Sequence, residues 1–585
     1  MVLPTDPGPG LRVDDAEPGD AAPGGAAPAG ATPAGPRLAR RWSRVRAGLP
    51  RTGLALLCGV LLALSFPPYG LWPLSLVAVA GLSLLTHHRT ARQAAWTGLA
   101  FGAPFLIWLL AWLTVIGADA WLALAVFESL FLAAMAAALA KVSRLPGWPV
   151  WTACLWVTQE WARDRVPLGG FPWGRLAFAN TSSPFTPLAA IGGAPLVTFA
   201  VALSGALLAA AVPALLPAVR GRRQEEEQGQ EQEQEQGRRP GRARVRALGA
   251  VALAVVVGVL GYAVPLPTAG TTAGGPAQAE VAVIQGNVPH AGMDFLGRPM
   301  QVLQNHVRAT VQLALDVAAG RAKQPELVIW PENSSDVNPY TTPEAYAAIQ
   351  GAVDAIKVPI LVGALVDGPD AQHVQNEGIV WAPSDAASPG PGAHYTKQHP
   401  VPFGEYVPFR SVLSKYITRL QRVARDFAPG TRTGILQVGP ARIGDVICFE
   451  VAYDGIVSDA VSKGGRVIVV QTNNATYEHT DQPDQQFAMS RLRAVEHGRA
   501  VLIAATSGIS AVVEPDGSVL KRTQLATAAE LEASVPLRDP LTVADRVGAA
   551  PEWAIAVAGL LALGAAMVTT GSVRWRRQRR GSGAA

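Results

Sequence analysis

Long apolar runs alternate with short polar loops through residues 53–264, and one more run lies near the C-terminus. Apolar runs of this length predict helices that span a membrane. We expect about eight spans in an α-helical membrane bundle. They lie near 53–67, 71–86, 94–115, 119–140, 147–162, 186–218, 247–264 and 552–569.

Basic residues in the loops predict how these spans are oriented. A cluster of arginines between Arg40 and Arg51 precedes the first run. A cleaved signal peptide has the same basic-then-apolar order, but the later runs favour a retained multi-span protein. If the sides alternate, the basic segments 87–92, 141–144, 220–246 and 574–580 all lie with that cluster. Basic loops favour the cytoplasm, so the long stretch before the last span is predicted to lie outside it.

That long outer stretch has a different pattern, in which short apolar strands alternate with amphipathic helices. An α/β core covered by helices is therefore expected. The predicted strands lie at 279–285, 327–330, 358–363, 378–381, 466–471, 500–506 and 510–513, and the predicted helices at 300–320, 346–356, 452–463 and 485–498.

These patterns divide the chain into segments of distinct character. Residues 1–40 are rich in Pro, Gly and Ala and predict a disordered tail, and a Glu/Gln run predicts a solvated insert. We therefore predict a tail at 1–40, a membrane domain at 41–264 with a cytoplasmic insert at 221–245, an extracytoplasmic domain at 270–550, a last transmembrane helix at 551–570 and a basic cytoplasmic tail at 571–585.

Composition agrees with a membrane protein that has a sizeable soluble part. Hydrophobic residues make up 49% of the 585 residues and charged residues 16%. The net charge of +5 does not predict a nucleic-acid partner, because the basic residues cluster beside apolar segments. Three scattered cysteines cannot form a disulfide framework. No nucleotide-binding motif and no metal-ligand spacing is present, so we expect no cofactor and no metal.

Cys448 ends the short apolar run Val446-Ile447 and lies outside the membrane-like segments, unlike Cys58 and Cys154. A thiol at the end of a strand is well placed for nucleophilic chemistry. The alternative is a free cysteine buried in a core.

Two upstream stretches supply polar groups that complement a thiol. Glu332 ends an apolar strand in Trp330-Pro331-Glu332, and Lys397 precedes a proline-rich loop that carries Glu405. Each residue alone is compatible with a turn or a surface position. Together they offer an acid for proton transfer, a cation and a nucleophile, with the backbone N–H of Phe449 as a further oxyanion donor. A Cys/His protease is the rival arrangement, with His399 nearest, but no protease signature surrounds Cys448.

The order Trp-Pro-Glu, Tyr-Thr-Lys, Pro-Phe-Gly-Glu-Tyr and Ile-Cys-Phe-Glu resembles the nitrilase superfamily, and the membrane context resembles the apolipoprotein N-acyltransferase family. The resemblance implies an α/β nitrilase-like αββα sandwich. It also implies Cys448 as nucleophile, Glu332 as general base, Lys397 as oxyanion-supporting cation, and Glu405 and Glu450 as supporting acids.

The implied reaction moves a fatty acyl chain from a phospholipid, through a Cys448 thioester, to the α-amino group of a lipoprotein's N-terminal diacylglyceryl-cysteine. The implied partners are a phospholipid donor, a diacylated apolipoprotein acceptor and the membrane. The implied location is the bacterial plasma membrane, with the catalytic domain on the extracytoplasmic face. Another membrane-anchored nitrilase-type amidase or acyltransferase, or a catalytically silent partner-binding paralogue, is the alternative.

Four aromatic residues are candidates for lipid contact, and core packing is the alternative for Phe403 and Tyr406. Trp173 lies in a loop between two apolar runs, where an interfacial aromatic belt explains it equally well. Phe449 and the segment 473–477 depart from the family, which commonly has Tyr after the cysteine and an Asn-Asp-Ala-Trp-Phe-like stretch. The candidates are Phe403, Tyr406, Trp173 and Tyr477.

Overall fold

A computed structural model describes residues 36–215, 239–288, 299–415 and 424–581. Most of the predicted tail at 1–40 lies outside these residues, and a helix that begins at Pro36 includes its last positions. The Glu/Gln insert also lies outside them, up to residue 238, and a helix begins at Arg239 within the predicted limits of that insert.

A helix coincides with each of the eight predicted membrane spans. Within the described residues, four segments are long and apolar enough to cross a bilayer: Ala118–Val142, Thr186–Pro213, Arg244–Ala263 and Ala550–Thr569. The helix Pro73–Thr86 has 14 residues, and its rise of about 21 Å falls short of a hydrocarbon core of about 30 Å. The helices are Pro36–Leu64, Pro73–Thr86, Ala91–Leu109, Ala118–Val142, Trp148–Arg163, Ala189–Leu215, Arg239–Val259 and Ala550–Gly581.

Two β-sheets form the core of the second half of the chain. The first sheet has the order β13-β1-β2-β3-β4-β5, with β6 paired to β4, and the second has the order β12-β11-β10-β9-β8-β7. Parallel pairs lie in the middle of both sheets. The strands are β1 Gln278–Gln285, β2 Leu327–Ile329, β3 Ile360–Asp367, β4 His373–Ala382, β5 Gly390–Thr396, β6 Asp426–Phe427, β7 Ile435–Val438, β8 Ala441–Ile447, β9 Val467–Thr472, β10 Val501–Ala505, β11 Ala511–Val513, β12 Val519–Arg522 and β13 Ala529–Pro536.

Alternation along the strands divides the core into layers. In β1, Val281 and Val283 point between the two sheets, whereas Ala282 and Ile284 pack under the helices Pro299–Ala318 and Pro343–Ile356. These successive residues lie on opposite faces because side chains alternate along a strand. The result is a helix–sheet–sheet–helix sandwich, as the resemblance to the nitrilase superfamily implies.

The helices on the other side of the sandwich separate it from the apolar helical region. Helices Asp454–Ser462 and Gln482–His497 cover the second sheet, and Gln482–His497 also packs against Ala189–Leu215. One continuous apolar cluster includes Val470 of β9 and Val197 of that long helix. The outer helix layer of the sandwich is therefore the surface on which the two regions meet.

Candidate active site

A sharp turn presents the thiol of Cys448 at the end of β8. The strand ends at Ile447, and a 3₁₀ turn over Cys448–Ala452 follows. Cys448 itself has φ +56°, in the left-handed region that a residue with a Cβ adopts only at a cost. Its side chain is partly exposed. The thiol is therefore turned out of the strand and into a space that other elements can reach.

Lys397 lies buried directly after β5, with 1% of its surface exposed. Its backbone N–H donates to the carbonyl of Asn376 on β4 at 2.9 Å. Its Nζ donates to Glu332 Oε1 at 3.1 Å and to Glu405 Oε1 at 2.7 Å. Burial lowers the lysine pKa, but the two carboxylates outweigh it and hold that pKa well above its usual value. The side chain is a permanent cation.

Glu332 follows β2 and is 3% exposed. Besides Lys397, its Oε1 accepts a hydrogen bond from Asn376 Nδ2 at 2.7 Å, and its Oε2 accepts one from the backbone N–H of Asn473 at 2.8 Å. Pro331 precedes it, and proline fixes the local backbone. The carboxylate is thus oriented by three elements of the sandwich.

Glu405 closes the loop that follows Lys397. Its Oε2 accepts the backbone N–H of Val401 at 2.7 Å, and its carbonyl accepts the backbone N–H of Phe427 at 2.9 Å. Burial raises the pKa of Glu405, while the charge of Lys397 opposes that change. The residue holds the loop and the lysine in one arrangement.

Glu450 links the lysine loop to the cysteine turn. It is fully buried. Its Oε1 accepts the backbone N–H groups of Gln398 at 2.7 Å and His399 at 3.0 Å, and its Oε2 accepts that of Ile447 at 2.7 Å. The hydroxyl of Tyr395 donates to the same carboxylate at 2.9 Å. One side chain therefore fixes the two segments that carry Lys397 and Cys448.

The thiol has two hydrogen-bond donors that sequence reasoning missed. Thr472 Oγ1 lies 3.4 Å and Gln486 Nε2 3.8 Å from the Cys448 sulfur. Burial raises the pKa of the thiol to about 12, the charge of Glu332 adds to that increase and the charge of Lys397 opposes it. The resting nucleophile is therefore a protonated thiol. A base must remove its proton before it can attack.

Phe449 and Trp173 form a stacked aromatic group beneath the cysteine turn. The two ring centroids lie 5.7 Å apart at 17°, and Phe171 stacks on Phe449 at 5.7 Å and 26°. Trp173 is 1% exposed, and its Nε1 donates to Gln485 Oε1 at 2.6 Å. It packs as a wall of the site. The loop between two apolar helices therefore supports the turn that carries the thiol.

The remaining predicted aromatic residues differ in exposure. Phe403 is 44% exposed in the loop after Lys397, and Phe409, a neighbour in that loop, is 73% exposed. Tyr406 is half-buried in the same loop. The ring centroid of Tyr477 lies 5.1 Å from that of Trp112 in an edge-on arrangement. Burial raises the pKa of the Tyr477 hydroxyl, and the charge of Lys397 opposes that change.

Three-residue sets of His, Cys, Asp or Glu with the geometry of a metal site do not occur in the part of the chain that the structure describes. The chemistry available at the site is that of the thiol, its neighbouring carboxylates and the lysine cation.

Two family models match the chain, the apolipoprotein N-acyltransferase N-terminal domain over residues 58–207 and the carbon-nitrogen hydrolase over residues 280–539. The apolipoprotein N-acyltransferase of Mycolicibacterium smegmatis is 40% identical over 599 residues, which cover 99% of this chain and 97% of that protein. This chain belongs to the apolipoprotein N-acyltransferase family. The enzyme of that name from Azotobacter vinelandii is 29% identical over 547 residues, covering 90% of this chain and 96% of its own length.

Among solved structures, an amidase from Nesterenkonia sp. is similar at a TM-score of 0.33 and 17% identity, covering 48% of this chain and 97% of that chain. That similarity is too weak to add to the family models.

Membership of the apolipoprotein N-acyltransferase family confirms the resemblance drawn from the sequence motifs, and with it an acyltransferase that has a nitrilase-like α/β domain. It also agrees with the membrane character of the apolar helices and with a lipoprotein substrate. The family matches do not assign roles to single residues. The catalytic roles of Glu332, Lys397 and Cys448 and the supporting roles of Glu405, Glu450 and Phe449 stay predictions.

Proposed function

We propose that this enzyme moves a fatty acyl chain from a phospholipid to the α-amino group of a lipoprotein's N-terminal diacylglyceryl-cysteine, through a thioester on Cys448. One observation carries the residue assignment: Lys397 Nζ bridges Glu332 at 3.1 Å and Glu405 at 2.7 Å, in a buried cluster whose charges act on the thiol. A base, a permanent cation and a nucleophile in one site are the parts that acyl transfer needs.

In the first half-reaction, Glu332 accepts the proton of the Cys448 thiol, and the sulfur attacks the carbonyl carbon of a phospholipid ester. Lys397 and the backbone N–H of Phe449 stabilise the oxyanion that forms. When the carbon–oxygen bond breaks, protonated Glu332 returns its proton to the departing alkoxide. A lysophospholipid leaves, and the acyl group stays on sulfur as a thioester.

In the second half-reaction, the α-amino group of the acceptor attacks the thioester as a neutral amine. Glu332 takes a proton from the attacking nitrogen and gives it to the departing sulfur, so that the thiol is regenerated as the amide forms. Two carboxylates hold the pKa of Lys397 well above the usual range in the resting enzyme. While Glu332 carries the transferred proton, Glu405, at 2.7 Å from Lys397 Nζ, keeps the lysine protonated. A covalent intermediate shared by two substrates gives ping-pong kinetics.

We further propose that the chain crosses the bacterial plasma membrane about eight times, with the domain at 270–550 on the extracytoplasmic face. A helix at each predicted span supports this arrangement, as does the distribution of basic loops. Helices shorter than the hydrocarbon core can be accommodated where the bilayer thins beside the protein. The segment limits 41–264, 551–570 and 571–585 are part of the same proposal.

The exposure of Phe403, at 44%, and of Phe409, at 73%, supports a loop that touches lipid near the site, and the half-buried Tyr406 lies between them. Phe403 and Phe409 also have positive φ values of 63° and 51°. A positive φ costs free energy in a residue that has a Cβ. That cost is compatible with a loop whose rings contact acyl chains rather than pack in a core.

The test is to incubate the purified full-length protein with phospholipid, locate an acyl adduct by mass spectrometry and then add a diacylated lipopeptide. We expect a thioester on Cys448 that passes to the peptide amine. Cys448→Ala should abolish the adduct, whereas Cys58→Ala and Cys154→Ala should keep it, because both of those cysteines are buried in apolar helices. Release of the acyl group only to water indicates an amidase or hydrolase, and no adduct indicates a silent paralogue.

A further inference from the structure

A cavity separate from the active site lies between the apolar helices and the sandwich, on the far side of helix Gln482–His497 from the thiol. It has a volume of about 180 Å³. On that helix it is lined by Asp484, Phe487, Ala488 and Arg491, whose spacing places them on one face. Gln486, which contacts the Cys448 sulfur, lies on the opposite face. The cavity and the active site therefore share a helix but not a surface.

Two guanidinium groups supply the charge of this cavity. Arg491 Nε donates to the carbonyl of Gly517 at 3.0 Å, and its Nη1 donates to Ser182 Oγ at 3.1 Å. Arg522 Nη2 donates to Asp484 Oδ1 at 2.9 Å, and its guanidinium lies 5.0 Å from the centre of the Phe487 ring. Since a guanidinium has five N–H donors, these contacts within the described residues leave donors on both arginines for a ligand.

The guanidinium groups of Arg491 and Arg522 are close enough for the charge of Arg522 to disfavour the protonated form of Arg491. Burial lowers the pKa of Arg491, the positive charge of Arg522 lowers it further, and Asp516 opposes both. Asp484 is the carboxylate that lines the cavity itself, and it already pairs with Arg522. An anion between the two guanidinium groups would relieve this repulsion. Paired arginines are the usual side chains for a phosphate group.

The other walls of the cavity are loops at the ends of apolar helices. The segment from Pro67 to Trp72 joins the helices Pro36–Leu64 and Pro73–Thr86, and Thr181 and Ser182 precede Ala189–Leu215. Ends of apolar helices lie at the depth of the lipid headgroups, where Trp is also enriched. In the membrane arrangement proposed above, the cavity lies at the depth at which phosphates occur in a bilayer.

We infer that this cavity binds the phosphodiester of a phospholipid headgroup, at a site separate from the thiol. Arg491 and Arg522 hold the phosphate charge, the hydroxyls of Thr181 and Ser182 offer further polar contacts, and Trp72 lies where the glycerol backbone meets the acyl chains. The bound lipid braces helix Gln482–His497 against the apolar helices. Binding does not depend on acyl transfer, so it holds whether or not the proposed reaction is right.

The test measures lipid retained by full-length protein in detergent, using native mass spectrometry. Cys448→Ala serves as the parent protein, since it cannot consume the lipid. The probes are phosphatidylglycerol, diacylglycerol with the same acyl chains, and inorganic phosphate. Because the thiol site also accepts an acyl ester, we expect the parent to retain one more molecule of phosphatidylglycerol than of diacylglycerol. Arg522→Gln or Arg491→Gln should weaken retention of that additional phosphatidylglycerol about tenfold, the loss typical for one charge-assisted contact.

Arg321→Gln is the matched control, because Arg321 is an exposed arginine that pairs with Asp316 far from the cavity. It should retain lipid like the parent protein. Arg522 has 43% of its side chain exposed, so its variant keeps the test valid even where Arg491→Gln impairs folding. Equal retention by parent and Arg522→Gln, or equal binding of diacylglycerol, overturns the inference. Binding of inorganic phosphate to saturation, without any retention of lipid, would show that the cavity takes free phosphate rather than a phospholipid headgroup.

Discussion

The charges on Glu332 and Lys397 act in opposite directions on the same sulfur atom. Glu332 raises the pKa of Cys448 and Lys397 lowers it, with burial as the largest cause of the final value of about 12. Because the thiolate is the reactive form, the rate at which the thiol is alkylated reports this pKa directly. Removing either charge should therefore shift reactivity in a predictable direction.

We predict that Glu332→Gln increases the rate of Cys448 alkylation by iodoacetamide at a given pH, and that Lys397→Met decreases it. Both variants should lose acyl transfer. In the parent protein, alkylation should accelerate about tenfold per pH unit between pH 7 and 10, because the thiol pKa lies above that window. The measurement is labelling followed by peptide mass spectrometry.

Replacement of Cys58 and Cys154 by alanine gives a background in which Cys448 is the one thiol left. A slower reaction in Glu332→Gln would contradict the prediction. It would mean that Glu332 acts on the thiol mainly by positioning it rather than through its charge.

The motifs taken together, rather than any one of them, predicted that Glu332, Lys397 and Glu405 lie close to one another. Glu332, Lys397 and Glu405 lie at the ends of strands or in a proline-rich loop, and each of these positions points toward one edge of the sandwich. Thr472 and Gln486 were not predicted, because a threonine at a strand end and a glutamine in a helix have many structural uses. The run Gln482, Gln485 and Gln486 was the available signal, since three buried amides on one helix need partners.

At the scale of whole elements, the long helix Ala189–Leu215 is interrupted near its start by two residues whose backbone angles are not helical. Gly192 and Gly193 have non-helical angles, and Gly193 has φ +68° and ψ −173°, a conformation essentially restricted to glycine. The backbone N–H of Ala194 then donates to Glu496 Oε1 at 3.3 Å, across the boundary to the sandwich. The break turns a backbone donor toward the catalytic domain.

We predict that Gly193→Ala destabilises the protein by at least about 1–3 kcal/mol, the cost of forcing a side chain into such a conformation. A Cβ at this position would also lie 2.6 Å from Glu496 Oε1. Thermal unfolding of the full-length protein in detergent measures the effect. Gly249→Ala is the control, because a Cβ there meets nothing within 4 Å and alanine favours a helix over glycine. An unchanged melting temperature for Gly193→Ala would contradict the role of the break.

The sequence predicted the elements that have a clear hydrophobic pattern. It did not predict the elements whose residues disfavour the structure that they form. β9 and β10 are continuous apolar runs and were expected close to their observed limits. β5 contains Pro391 and Gly392, which are disfavoured in strands, and it forms only by pairing with β4. β12 has four exposed residues, Val-Leu-Lys-Arg, whose two apolar residues precede two basic ones, so no alternation marks it as a strand. In β13, glutamates alternate with apolar residues, and the partner strand β1 lies more than 240 positions earlier in the chain.

At the scale of the whole molecule, a buried ion network joins the apolar region to the sandwich. Arg175 is 1% exposed. Its Nη1 lies 2.8 Å from Asp454 Oδ1 and 3.5 Å from Asp164 Oδ2, and its Nε lies 3.6 Å from Glu160 Oε2. Arg493 also contacts Asp454, at 2.7 Å. Loss of one member leaves buried charges without compensation.

We predict that Arg175→Met destabilises the protein by about 3–5 kcal/mol, as expected for removal of one partner from a buried ion pair. Arg165→Met is the matched control, because Arg165 also pairs with a carboxylate, Glu552, but has 37% of its side chain exposed. That change should cost no more than about 1 kcal/mol. Thermal unfolding of both variants in the same detergent checks the difference, and equal losses would contradict it.

The contact between the cysteine turn and the loop Gly170–Trp173 has a kinetic consequence. Phe449 stacks on that loop, and Tyr453 donates a hydrogen bond to the carbonyl of Gly170 at 3.0 Å. These contacts hold the sulfur at a fixed position relative to the ends of the apolar helices. In the proposed reaction, both long-chain reactants must reach the sulfur by lateral diffusion in the membrane. We therefore expect turnover to follow surface-dilution behaviour, in which velocity tracks the mole fraction of each reactant in mixed micelles rather than its bulk molarity.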